Sequence, residues 1–144
     1  YIPIERAHWA AAADRDGFKD EKTTETLLAG VTSDFGVSLA NSVDGLSMIG
    51  GRTEEIKGIK VSHFKYGNGD KVVSAFVFPA NSLELPGDLT ETRVEIEGVC
   101  HLSHNCRGCW LVYYKEGNAL VVTATTDHTF KLLEFKPVTA TGAI

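Results

Sequence analysis

Apolar and small residues near the start of the chain recur at helical spacing: Ile4, Ala7, His8, Ala11 and Ala12. Pro3 suits a first helical turn, so a helix is predicted to about Arg15. A second is predicted from about Thr24 to Phe35, where Leu27, Leu28, Val31 and Phe35 share a face. Thr23 and Thr24 offer capping hydroxyls at its start, and Gly36 ends it. The charged stretch from Asp14 to Lys22 reads as a solvated helix end and connection.

From about Ser47 the period becomes that of a strand. Ile59, Val61 and His63 alternate with Lys60, Ser62 and Phe64, and Val72 to Phe78 is rich in β-branched and aromatic residues. Gly67, Asn68, Gly69 and Asp70 read as the hairpin turn between them, and Pro79 ends the second strand. After a loop from Ala80 to Thr90, Val94 and Ile96 alternate with Arg93, Glu95 and Glu97. A second hairpin runs from Trp110 to Tyr114, turns through Lys115 to Asn118, and returns from Ala119 to Thr125. Asp127 can cap a last short helix carrying Phe130, Leu132 and Leu133, which Pro137 stops. The expected fold is α+β: an antiparallel sheet of about five strands, two N-terminal helices and a short C-terminal helix, built on one core. Gly50 and Gly51 predict a bulge or tight bend where the sheet begins.

At 144 residues the chain fits a single domain over residues 1–144, and 43% hydrophobic with 23% charged residues argues against disorder. The formal charge is −5, and no basic stripe is present, so a phosphate-binding nucleic-acid partner is not expected. No apolar run approaches the roughly 20 residues that cross a bilayer. The start at Tyr1 leads us to expect a processed piece whose anchor or targeting segment lies upstream.

One segment stands out chemically. All three cysteines and two of the five histidines fall in CHLSHNCRGC, as Cys100, His101, His104, Cys106 and Cys109. At the chain's average density, ten positions would hold fewer than one such residue. The spacing of Cys106 and Cys109 lets two thiolates from one turn reach the same ion. An extended strand would hold Cys100 and His104 about 13 Å apart, so a complete site needs a bend near Leu102 and Ser103. His104 is then nearest the thiol pair, with Cys100 or His101 as the fourth ligand, and zinc or copper as the metal. Two other readings stay open: a disulfide or redox pair of Cys106 and Cys109 in an oxidising compartment, or inert buried thiols.

The remaining candidates are plainer. Thioredoxin-like chemistry wants its cysteine pair at a helix start, whereas a strand follows Cys109, and Trp110 stands where covalent haem attachment needs a histidine. His63 reads as a cross-strand packing residue, His8 as lying along a helix face and His128 as solvent-facing. With no nucleophile-elbow pattern and no paired carboxylates in an apolar setting, an enzyme is not expected.

The order Leu46-Ser-Met-Ile-Gly-Gly-Arg52, the strand Ile59 to Tyr66, a Gly-rich turn, Val72 to Pro79, and Trp110 leading into a hairpin resembles the extracytoplasmic domain of bacterial transmembrane anti-sigma factors. The likeness spans about Leu27 to Phe135. It implies a non-enzymatic sensory or regulatory domain on the outer face of an inner membrane, in the periplasm. Its partners would be the membrane-anchored remainder of its own chain and, through a cytosolic part, a sigma factor. That family's zinc motif, His-x-x-x-Cys-x-x-Cys, belongs to the cytosolic part; His104, Cys106 and Cys109 have another spacing, so no ligand role carries over. The alternatives are a periplasmic thiol-disulfide protein using Cys106 and Cys109, and a plain protein-interaction module.

Overall fold

The computed structural model describes residues 2–14, 16–43, 45–68, 71–82, 93–96, 99–106 and 109–125, with the backbone alone for residues 2, 43, 93–96, 99–106, 109, 110, 114 and 116. Among the described residues two helices, α1 (Ile2–Ala13) and α2 (Glu21–Phe35), precede eight strands. The strands are β1 (Ser42–Val43), β2 (Leu46–Ile56), β3 (Ile59–Asn68), β4 (Lys71–Pro79), β5 (Arg93–Ile96), β6 (Val99–Cys106), β7 (Cys109–Glu116) and β8 (Ala119–Thr125). They form one antiparallel sheet in the order β1-β2-β3-β4-β8-β7-β6-β5. The α+β class, the two helices and the antiparallel sheet are those the periodicity predicts. The sheet reaches eight strands because β1, β2 and β6 pair alongside the five runs that the alternation marks as strands. The expected C-terminal helix, with Asp127, His128 and Pro137, lies outside the described residues.

The single core expected from chain length is instead two, one on each face of the sheet. Alternation along the strands divides them: Val73, Ala75 and Val77 join Phe64, Tyr66, Val112 and Val121 beneath α2, which contributes Val31, Leu27 and Leu28. Phe76 and Phe78 join Val61, Leu111, Tyr113 and Val122 on the other face, where α1 contributes Ile4 and Ala7. Burial on both faces is why Val72 to Phe78 reads as an almost unbroken apolar run.

Asp20 caps α2: its side chain accepts from the amides of Lys22 and Thr23. The capping role expected of Thr23 and Thr24 is therefore corrected. Thr24 Oγ1 donates to the Asp20 carbonyl and accepts from Gly51 N at 2.9 Å, tying the helix start to β2. Gly36 does end the helix, in the left-handed conformation at φ 72°.

The connection between the helices packs against β2, and Gly50 makes room for it. A Cβ on Gly50 would run into the Phe18 carbonyl oxygen, and one on Gly51 would stand 2.7 Å from the Phe64 ring. The register of β2 against β3 slips between Met48 and Gly50, the expected bulge. One extra residue reverses the alternation. Leu46 and Met48 pack toward α2, whereas Ile56 packs on the α1 face.

Candidate functional site

Two clusters contain histidine, and the structure describes them to different depths. The first is the cysteine and histidine segment. Cys106 and Cys109 are Cα partners where β6 ends and β7 begins, two residues of sequence between them. His104 pairs with Leu111, Leu102 with Tyr113 and His101 with Tyr114, in unbroken register. Positions 104, 106 and 109 therefore share one parity of the pleat, within two residues of the turn. Position 101 has the other parity. Cys100 pairs with Glu95 of β5 and lies six residues from Cys106, about 20 Å along an extended strand. The bend expected near Leu102 and Ser103 is absent, because β6 runs straight through both residues as a paired strand. The backbone thus brings His104, Cys106 and Cys109 to one turn, and it holds Cys100 and His101 away from them.

The second cluster lies beneath α1 and was not read as a site. His8 Nδ1 is 2.7 Å from Ser74 Oγ, His63 Nε2 is 2.9 Å from the same oxygen, and His63 Nδ1 is 3.2 Å from Glu54 Oε1. His8, His63 and Ser74 are fully buried. The two rings come from α1 and β3, the hydroxyl from β4 and the carboxylate from β2. Glu54 Oε1 also accepts from Arg52 Nε at 2.7 Å, and Arg52 Nη1 reaches Asp14 Oδ2 at 2.8 Å. Lys65 Nζ donates to the Asp14 carbonyl at 2.7 Å. Phe18, expected to lie in a solvated connection, is buried over this group. Its ring meets the edge of His63 at 4.9 Å and lies under the Arg52 guanidinium at 4.2 Å. His63 stacks on Phe76 at 4.1 Å, so the packing role expected of it holds, joined to a polar one.

The protons in this chain follow from the carboxylate. Glu54 can only accept, so His63 donates from Nδ1, and its Nε2 lone pair accepts from the Ser74 hydroxyl. Ser74 Oγ then accepts from His8 Nδ1, leaving His8 Nε2 as a bare lone pair. That atom is buried with no partner among the described residues. Both rings are neutral in this arrangement. Burial, the largest cause, lowers the His8 pKa from 6.5 to about 3, and repulsion from His63 when it is protonated and from Lys65 acts in the same direction. Burial also lowers His63, against the pull of Glu54. The bond from His63 is the main reason that Glu54 stays below the usual carboxylate range.

A carboxylate, imidazole and hydroxyl in this order resemble a hydrolase triad. Here a second imidazole holds the hydroxyl on its other side, and no surface of Ser74 is exposed to a substrate. What the group accomplishes in this conformation is attachment: it ties α1 to three consecutive strands. The only trace of it in the sequence is polar residues within apolar stripes, His8 among Ile4, Ala7 and Ala11, and Ser74 within Val72 to Phe78.

Among the described residues no group of three or more His, Cys, Asp or Glu side chains could hold a metal ion, and no helix is long and apolar enough to cross a membrane. The side chains of Cys100, His101, His104, Cys106 and Cys109 lie outside the described set. No protein-family model, curated protein or solved structure matches this chain.

Proposed function

We propose that this domain is a non-enzymatic sensory or regulatory module on the extracytoplasmic side of a membrane, part of an anti-sigma-factor-like protein. Its receptor element is the turn between β6 and β7, which takes zinc or copper through Cys106, Cys109 and His104. The observation that supports it is the pairing of Cys106 with Cys109 where β6 ends and β7 begins, with His104 two residues back. Two thiolates and a neutral imidazole suit a thiophilic cation, and a fourth position is left to water or to a group from outside the hairpin. The motif resemblance supports the location and the regulatory role. A route for the signal runs along β7, which begins at Cys109 and ends at the turn where Asn118 N donates to the Phe35 carbonyl, the last residue of α2, at 2.8 Å. Ordering the turn would thereby bear on α2.

The same pairing favours a second reading. Directly opposed residues of an antiparallel pair have Cα atoms about 5.5 Å apart or less, within the span of a disulfide. Elemental analysis of protein purified without added metal, with a thiol count after denaturation, separates the two. One metal ion per chain with three recoverable thiols supports the sensor, provided that Cys106→Ser and Cys109→Ser variants each lose the metal and keep two thiols. Two missing thiols without metal support the disulfide. Three thiols and no metal after incubation with zinc or Cu(I) refute the metal reading.

A further inference from the structure

We infer that α1 is held by a proton-sensitive latch, and that mild acid releases it from the sheet through His8. The inference is independent of the hairpin turn and rests on the hydrogen bonds under α1.

With both rings neutral, each polar hydrogen in the series His8, Ser74, His63, Glu54 has one acceptor, and the series runs in one direction only. Reversing it would set the His63 Nδ1 lone pair against a carboxylate oxygen. A proton added to His8 Nε2 creates a buried imidazolium whose new N–H has no acceptor within hydrogen-bond distance among the described residues. A proton added to His63 Nε2 turns that atom into a donor, so the Ser74 hydroxyl must turn to His8 Nδ1 and the His8 proton must move to Nε2, where the N–H has no acceptor among the described residues.

The surrounding charges do not offset that cost. From β2, Arg52 and Glu54 are already bonded to each other; from β3, Lys65 adds a positive charge; from the connection, Asp14 is engaged by Arg52 and by the amides of Asp16 and Gly17. On α1 itself Glu5 is buried one turn before His8, but its Oε1 has no hydrogen-bond partner among the described residues, and its charge is not one of those that act on His8. From β8 the groups facing α1 are Leu120, Val122 and Ala124, and from β7 Leu111 and Tyr113. The open state, with His8 in water, is therefore the one that accepts the proton.

The sign follows. Above pH 6.5 His8 is neutral whether α1 is docked or free, and docking is at full strength. As pH falls below 6.5 the free helix takes up a proton that the docked helix refuses until about pH 3, so docking weakens throughout that interval. Glu54, held below the usual carboxylate range, stays ionised at pH 5 and leaves the histidines to respond there. From His8 alone, the opening equilibrium at pH 5 is expected to exceed that at pH 7.5 roughly thirty-fold.

Hydrogen–deuterium exchange of the whole chain at pH 7.5 and 5.0, corrected for intrinsic amide rates, tests this. The amides of α1 should lose protection by that factor while those of β3 and β4 keep theirs. His8→Asn, which retains an N–H donor for Ser74 but does not titrate, should flatten the α1 response. Ring nitrogen shifts of the unaltered chain at pH 7.5 should report both imidazoles as neutral with the proton on Nδ1. Equal α1 protection at both pH values, an undiminished acid response in His8→Asn, or a charged ring at pH 7.5 would each overturn the latch. If His8→Asn does not fold, exchange and ring shifts of the unaltered chain decide.

Discussion

The two faces of the sheet hold their helices by different means. Under α2 the contacts are almost wholly apolar: Val31, Leu27 and Leu28 meet Phe64, Val73, Ala75 and Val77, and Tyr66 directs its hydroxyl to the Ala40 carbonyl at 2.7 Å. Under α1 the apolar contribution is smaller, Ile4 and Ala7, and the middle of the interface is the imidazole, hydroxyl and carboxylate series. Apolar burial is indifferent to protons, whereas a buried neutral histidine is not. One molecule thus carries a helix whose attachment is constant and another whose attachment depends on pH, separated by the thickness of a single sheet.

The largest expected effect lies on the apolar side. Phe64→Ala removes a fully buried ring beneath α2 and should cost about 3–5 kcal/mol of stability. Denaturant unfolding at pH 7.5 and again at pH 5.5 should give the same loss, and a loss that changed with pH would blur the contrast between the faces. Next comes Ser74→Ala, which strands the Nδ1–H of His8 and the Nε2 lone pair of His63 in the interior. A decrease of about 2–4 kcal/mol is expected, since each buried group left without a partner costs about 1–3 kcal/mol. Exchange should rise in α1 more than in α2, and equal rises would mean that the hydroxyl does not serve α1 in particular. The smallest effect is that of Asp20→Ala, about 1 kcal/mol, confined to the first turn of α2. Amide exchange at Lys22 and Thr23 reads it, and α1 should not respond.

How much of this the sequence discloses depends on the range of the interactions. Both helices, the strands β3, β4, β7 and β8 and the two hairpins they form are legible because periodicity and turn chemistry are local: Gly36 after Phe35 and the alternation from Ile59 announce themselves. The cap of α2 stands three or four residues before the threonines that the sequence offers, since Asp20, Thr23 and Thr24 are all capping residue types and only the fold decides which one faces the free amides. The two-faced core was missed because a sheet buried on both sides needs the pairing of β4 with β8 to be known. His8, Ser74, His63 and Glu54 are 66, 11 and 9 residues apart in successive bonds, and no local pattern links them. The cysteine segment shows the opposite case. Its composition draws attention at once, but only the unbroken pairing of β6 with β7 shows which of the five positions the backbone sets side by side.

The sheet consists of two runs of four neighbouring strands, β1 to β4 and β5 to β8, and the pairing of β4 with β8 is the seam between them. Every other strand pair closes over a short stretch of chain, but joining Pro79 to Ala119 means closing a loop of about forty residues. In kinetic terms each half can assemble by zipping adjacent hairpins, and the entropic barrier is concentrated at their union, so seam formation is the step expected to limit the folding rate.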